Sequence, residues 1–531
     1  MADILWFPNY CRHMQDDLFQ LVKSLTRSEK RHFTLQASTH RKDAQHLILF
    51  RAIEKQKVYD EKPLRELLRE KGYSEHFSVA KSYLHRLIMK VLRSYHSEMS
   101  QNIKVAELLR DVEILKSKGL LDQAEKALNK AAVIAETNHL HNHMMQVNHW
   151  RRDLLYASHT IDSSAEELDR TYEELYREAE RIINEMELTN SSRRAFDLLA
   201  MTPPLHDRQA ADELERKMPP GIVSGEIPPG ASYITVANLL YTRINYLATI
   251  YELREHYRCC QEFLSFVRNS PWLDPRSTNH LTLGLNALLE NLLLRSRYPE
   301  ANNVLEEFRV AAFSDAFRTD PSMQGQVILR YMEQRLEIDA GLGDTAAAVQ
   351  RIPEFVAEMK RLSSTLTEPQ FLALRYHIGI TYFSAGEFRK ALTWMEPLLS
   401  FGSGDRSSHW EWSYSLIRIA QLLIHYELGD EDLLEYLLKS YYRFLANCKQ
   451  PFRIEQVFLR FLRRVLRLRD QRDLPKVLEE LAEELRELHR NPFEVRMSVP
   501  FVLAWAESKI EKKNLADILK RNAERAADAD I

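Results

Sequence analysis

Four histidines crowd the segment HLHNHMMQVNH: His139, His141, His143 and His149. On a helix, His139 and His143 share a face one turn apart, the spacing by which two imidazoles can hold a zinc ion. Zinc needs at least a third ligand, usually a nearby carboxylate or thiolate, and the local sequence supplies neither. The expectation is an exposed polar face with satisfied histidines and no metal. Cys259 and Cys260 are adjacent, yet position 260 reads as a small buried helix position, so a packed, inert thiol is expected rather than a redox pair. Only Cys11 and Cys448 remain, with no CxxC spacing, which argues against a disulfide framework and fits a reducing compartment.

The common catalytic signatures are missing. The chain has no GxxxxGK[ST], GxGxxG, GxSxG or HExxH. A glycine-poor helical chain also lacks the loops that most catalytic folds use to cradle phosphate or form oxyanion holes. No catalytic residue, cofactor or metal is expected, and the chain is read as not an enzyme.

Charge gives two further leads. The net charge is only −3, but residues 20–96 hold 17 Lys and Arg against 8 Asp and Glu, a local +9 that leaves −12 for the rest. Within that region LRELLREKGYSEHFSVAKSYLHRLIMKVLRSY reads as two helices around a short Gly-containing turn, the form of a helix-turn-helix. Its second helix would turn Ser78, Lys81, Ser82, His85 and Arg86 toward DNA, with Lys90 and Arg93 on phosphates. Val79, Tyr83, Leu87 and Val91 would be needed for packing. Farther on, Arg460, Arg463, Arg464 and Arg467 form a stripe, and Glu479, Glu480, Glu483, Glu484 and Glu487 form an acidic face in the next helix. Antiparallel neighbours of this kind pair with each other on the surface, each pair weakly.

The elements that must position these residues follow from composition. There are 14 glycines and 19 prolines in 531 residues, against usual frequencies of about 7% and 5%, and short strands would need many more turn residues. Long helices are expected, in an all-α fold. Residues 1–15 read as a leader without the charge and apolar pattern of a secretory signal. No membrane-spanning run is present, and a cytoplasmic location is expected. Residues 16–100 form a basic N-terminal helical domain. In it Thr26-Arg-Ser-Glu29 makes a capping box and Gly72 ends a helix. Residues 101–200 continue as helices, including the polar amphipathic stretch SSAEELDRTYEELYREAERIINEME. Six prolines in three Pro-Pro pairs lie between Pro203 and Pro229, with Gly221, Gly225 and Gly230, so 201–232 reads as a loop or linker. Residues 233–445 carry a repeat, and 446–531 a C-terminal helical cap.

The repeat is clearest in RYHIGITYFSAGEFRKALTWMEPLL, which spaces Gly379, Tyr382, Gly386, Phe388, Ala391 and Met395 as G-x-x-Y-x-x-x-G-x-F-x-x-A-x-x-x-M. Gly379 and Ala391 would let two helices approach closely, Tyr382 would fill the space between them, and Gly386 would end the first helix in a left-handed turn. Gly343 and Gly429 stand 43 residues to either side of Gly386. Weaker copies surround Tyr251, Tyr257 and Cys260, then Leu292, Tyr298, Ala301 and Leu305. Another lies near 105–136 with Leu115, Gly119, Leu121, Ala124, Leu128 and Ala131. The pattern resembles the tetratricopeptide repeat at a longer spacing of 41 to 47 residues. The opening LFQLVKSLTRSEKRHF, with KSYLHRLIMKVLRSYH, also resembles the front of an uncharacterised bacterial family of such proteins.

That resemblance implies a right-handed α-solenoid of helix pairs with a period of about 43 residues behind an N-terminal helical cap. It implies a non-catalytic scaffold that binds a partner protein or peptide along a groove lined by the first helix of each pair. The matching positions are Tyr376, Ile380 and Phe383, then Ile419, Leu423 and Tyr426. All are apolar or aromatic, which suits a hydrophobic helix better than the carboxylate clamped by Lys and Asn in chaperone-tail-binding relatives. The alternative is a DNA-binding or signal-responsive regulator that uses the basic N-terminal helices, with the repeats as sensor. Neither reading involves a membrane.

Overall fold

A computed structural model describes residues 17–38, 44–56, 59–71, 77–96, 101–158, 164–227, 231–269, 275–314, 317, 320–401, 408–446, 452–491, 493–494 and 498–529. The leader, Gly72, Pro228 to Gly230, Cys11 and Cys448 lie outside the described residues. Among those described, the chain forms α-helices, short 3-10 turns and no strand. No helix among them is long and apolar enough to cross a membrane.

The chain divides into two compact units, residues 1–189 with 228–235 and residues 190–227 with 236–531. Unit 1 holds α1 (Asp17–Ser24), α2 (Arg27–Ser38), α3 (Ala44–Lys55), α4 (Glu61–Glu70), α5 (Phe77–His96), α6 (Gln101–Ser117), α7 (Leu121–Thr137), α8 (His141–Ser158) and most of α9 (Ser164–Met201). The capping box forms at the start of α2: the Thr26 N–H donates to Glu29 at 2.7 Å and the Glu29 N–H donates to Thr26 Oγ1 at 3.2 Å. α3 packs on α1, α2, α4 and α5, and Phe33, Leu49, Phe50, Ile53, Leu64, Leu84 and Ile88 fill the space between them. α6, α7 and α8 form a second cluster around Ala124, Leu128, Ala131 and Val147.

Unit 2 continues with α10 (Arg208–Lys217), α11 (Pro220–Ser224), α12 (Tyr233–Thr249), α13 (Leu253–Asn269), α14 (Pro275–Leu294), α15 (Tyr298–Ala312), α16 (Pro321–Gly341) and α17 (Thr345–Leu362). Then come α18 (Leu372–Ser384), α19 (Phe388–Phe401), α20 (Ser408–Leu428), α21 (Glu431–Leu445), α22 (Arg453–Val465), α23 (Leu474–His489), α24 (Ser498–Glu511) and α25 (Leu515–Ala529). From α13 onward each helix packs on the next, and α14, α16, α18, α20 and α22 also touch alternate neighbours, so they form an inner row.

One turn closes helix after helix. At Gly386 the backbone is left-handed (φ 75°), and the Glu387 N–H reaches back five residues to the Tyr382 carbonyl at 2.9 Å, which satisfies a carbonyl that the helix end leaves open. Gly343 and Gly429 do the same with φ 73°, as do Tyr251 (60°) and Ser296 (56°) without glycine. Positions 251, 296, 343, 386 and 429 therefore share one turn at intervals of 43 to 47 residues. Inside the best pair, a Cβ on Gly379 would stand 2.7 Å from Met395 Cε, so glycine here is what permits close approach. Ala391 and Met395 are fully buried beside it.

The 201–232 segment is more ordered than a linker. Asp207 caps α10 by accepting from the Ala210 N–H at 2.8 Å, while Ala211, Leu214, Met218 and Ile222 are buried. The Pro-Pro pair at 219–220 starts α11, because a proline in the first turn gives up an N–H that would have no partner there. Arg243 donates to the Ser224 carbonyl at 3.0 Å and the Tyr246 hydroxyl donates to Glu215 at 3.0 Å, which ties both short helices to α12. Proline density excludes one long helix but permits two short ones.

The C-terminal segment also does more than cap an end. α24 and α25 turn back along the inner row, and α25 packs on α16, where a Cβ on Gly343 would meet Lys520 Cβ at 2.6 Å.

Candidate functional site

The six positions read as a partner groove are buried or half-buried, and the returning segment meets two of them, Phe383 and Tyr426. Phe383, Ile419 and Leu423 are buried in the unit 2 core, and Tyr376, Ile380 and Tyr426 are half-buried against it. Phe383 meets Phe501 of α24 at 5.7 Å between ring centroids. Tyr426 stands edge-on to Trp505 at 5.3 Å, and Trp505, 1% exposed, also meets Phe461 at 5.9 Å. The Trp505 indole N–H donates to Glu427 at 2.6 Å, and Lys509 pairs with the same carboxylate at 2.6 Å. Val499, Val502 and Ala506 are buried around them. This face is core, closed by the protein's own α24, and the groove expectation is corrected. The sequence marked the face as apolar; it could not show that a helix about 80 residues later would occupy it.

Two faces of unit 1 remain open. On α9, Thr171, Leu175 and Glu178 are buried, whereas Tyr172, Tyr176, Ile183 and Met186 share an adjacent exposed stripe. Tyr176 is 72% exposed, Ile183 56% and Met186 67%. With Ala179 they follow the alternating four-and-three spacing of a helix seam that meets another helix. Tyr156 of α8 is also exposed. Along one flank runs an exposed column of Glu166, Glu173, Glu180 and Glu187, seven residues apart. Among the described residues only Glu173 of this column meets a cation, Arg177 at 3.8 Å. Sequence reading took the stretch as polar and amphipathic; the seven-residue glutamate column was the signal it passed over.

The second open face is on α5. Of the basic positions read there, His85, Arg86, Lys90 and Arg93 are exposed. Lys81 is not part of them: it is half-buried, donates to the Tyr59 hydroxyl at 3.2 Å and lies over the Phe77 ring at 5.6 Å. The packing face is also corrected. Val79 and Tyr83 are exposed; Val91 is buried and Leu87 half-buried as expected, and Phe77, Ala80, Leu84 and Ile88 supply the rest of the packing face.

The histidine cluster resolves differently from the i, i+4 reading. His139 is exposed at a left-handed turn, and His141 is the buried member, with Nδ1 2.9 Å from Glu178 and Nε2 4.0 Å from Glu185. Glu185 in turn accepts the Ser232 N–H at 2.8 Å. This is a structural link between α8, α9 and the start of α12 within unit 1. Burial draws the His143 imidazole below its ordinary range. Among the described residues no three His, Cys, Asp or Glu side chains converge to hold a metal ion. Cys260 is fully buried and burial pushes its thiol well above the ordinary range; Cys259 is pushed up to about 12 for the same reason. Neither has a thiolate to offer. The arginine stripe and acidic face do pair, Arg460 with Glu484 at 2.7 Å and Arg464 with Glu480.

The inner row holds a strongly perturbed carboxyl. Glu337 of α16 is pushed up to about 7, first by burial and then by Glu290 and Glu333, with Arg330 opposing. On the same helix Arg335 pairs with the buried Asp339, and Arg351 of α17 pairs with that carboxylate at 3.0 Å. Burial draws His377 and His256 down to about 4. No protein-family model matches the chain, and no curated protein matches it.

Proposed function

We propose that the protein is a non-catalytic, tetratricopeptide-like helical scaffold, a right-handed solenoid with a repeat near 43 residues, that binds a partner protein through the outer face of α9. The observation that carries this reading is the exposed Tyr172, Tyr176, Ile183, Met186 stripe, because large apolar side chains gathered on one helix face usually mark an interaction surface. The partner's chemistry follows from the flank. A column of largely unpaired glutamates beside an apolar seam suits an amphipathic helix whose own apolar face is edged with Lys or Arg.

Two designed peptide helices with the same Leu and Ile face, one edged with Lys and one with Glu, provide the probe. The full-length chain is expected to bind the Lys-edged helix at least about tenfold more tightly, a difference of about 1.4 kcal/mol. Ile183→Glu with Met186→Glu should abolish binding, and Glu180→Lys with Glu187→Lys should reverse the preference. Equal binding of both peptides, or of neither, overturns the proposal. So does a dimer in sedimentation that Ile183→Glu splits, since a second copy would then be the occupant.

A further inference from the structure

α5 has two opposite faces with the same spacing. Phe77, Ala80, Leu84, Ile88 and Val91 recur at i, i+3, i+7, i+11 and i+14 and are buried. Val79, Tyr83, Arg86, Lys90 and Arg93 recur at i, i+4, i+7, i+11 and i+14 and are exposed, with Ser82 and His85 alongside. Among the described residues α5 is the only helix of 18 or more residues that contains no Asp or Glu. By contrast, the exposed side of α7 alternates sign, with Asp122, Glu125, Lys126, Lys130 and Glu136. Arg86 lies over the Tyr83 ring at 5.9 Å, and Tyr83 is itself stacked on His46 at 4.2 Å, so this end of the stripe is held in place. Among the described residues the side chains of His85, Lys90 and Arg93 make no hydrogen bond or ion pair. A helix that only needed solubility would not require one sign of charge without compensation.

We propose that this stripe is a nucleic-acid-binding surface, with Arg86, Lys90 and Arg93 set against successive backbone phosphates. These three span seven residue steps of helix, about 10 Å, the length of about three phosphate-to-phosphate steps at the roughly 3.4 Å axial spacing of one duplex strand. A lipid surface is the other common polyanion. A helix lying in a membrane interface must insert a broad apolar face, and that face of α5 is already buried in its own core. The proposal is independent of docking on α9.

The test measures binding of full-length protein to labelled duplex DNA and single-stranded RNA over a range of salt concentrations. Phosphatidylcholine vesicles containing phosphatidylserine, and polyglutamate, serve as competing polyanions. Binding is expected to weaken steeply with salt. The triple variant R86Q/K90Q/R93Q should lose at least about tenfold in affinity at moderate salt and flatten the log–log salt slope by about 2 to 3, near 0.9 for each phosphate contact removed. R86K/R93K should keep most of the slope, and circular dichroism should be unchanged in both. K126Q/K130Q on α7 removes surface charge elsewhere and should have little effect. Failure to retain either nucleic acid at low salt overturns the proposal, as does unaltered binding by the triple variant. It is equally overturned if the α7 variant weakens binding as much, or if vesicles or polyglutamate bind as tightly as nucleic acid.

Discussion

Tyr426 in unit 2 and Tyr176 in unit 1 sit in helices of similar character, each one of several large apolar side chains recurring every three or four residues. Tyr426 is enclosed by Trp505 and Phe461, and Tyr176 faces solvent. The difference lies outside either helix: α24 returns along the inner row of unit 2, and among the described residues of unit 1 no helix covers the stripe on α9. Periodicity specifies that a face is apolar and leaves open what lies on it. Apolar surface is worth about 25 cal/mol per Å² when removed from water, so a covered face contributes to stability and an uncovered one is available for binding.

Substitutions should separate the two faces by size of effect. Trp505→Ala removes the largest fully buried side chain and leaves its partners on α20 and α22 around a cavity; a loss of about 3 to 5 kcal/mol is expected, read as a fall in the denaturant midpoint of unit 2. A loss below about 1 kcal/mol would mean that α24 is a weakly held occupant and that the inner row is a groove after all. Asp339→Ala should cost a similar amount, about 3 to 5 kcal/mol, because it strands the Arg335 guanidinium in the interior; Arg460→Ala, in an exposed pair, should cost less than about 1 kcal/mol.

Glu337 gives the comparison a pH axis. Its folded-state pKa of about 7 lies above the ordinary 4.5, so its contribution is intact below about 4.5 and is lost as pH rises through 7. Glu337→Gln should therefore raise the unfolding midpoint at pH 8, by the equivalent of about 1 to 3 kcal/mol, and leave it nearly unchanged at pH 4.5. His377 and His256 act in the opposite direction: held near 4 when folded, they remove stability as pH falls from about 6.5 toward 4. An identical shift from Glu337→Gln at both pH values would show that the carboxyl is ordinary and solvated.

Smaller effects complete the contrast. Gly386→Ala should cost about 1 to 2 kcal/mol through the left-handed backbone alone, since nothing lies within 4 Å of the added Cβ. Ile183→Ser on the open face of α9 should change stability by no more than about 0.5 kcal/mol while removing peptide binding. A loss of 2 kcal/mol or more there would place Ile183 in a core and remove the basis for docking.

Much of the local structure was legible. The capping box at Thr26 and Glu29, the left-handed turns at Gly343, Gly386 and Gly429, the close approach at Gly379 and the pairing of Arg460 and Arg464 with Glu484 and Glu480 depend on residues within a helix or on adjacent helices. The open faces were less legible. Val79 and Tyr83 are as apolar as Leu84 and Ile88, and which pair packs depends on where α2 and α3 lie. His141 was one of four similar histidines until α9 brought Glu178 to it across 37 residues.

The amino-acid sequence by itself determined an all-helical chain, the turns that divide it, the excess of positive charge in residues 20–96 and the apolar stripes on its helices. These are properties of spacing, capping and backbone preference, which act within one or two turns. Tertiary structure alone decided which stripes are core and which are surface. That choice depends on contacts between residues far apart in sequence, such as Glu427 with Trp505 and Lys509, and the hydrophobic effect that drives such burial is non-directional and does not identify the partner in advance.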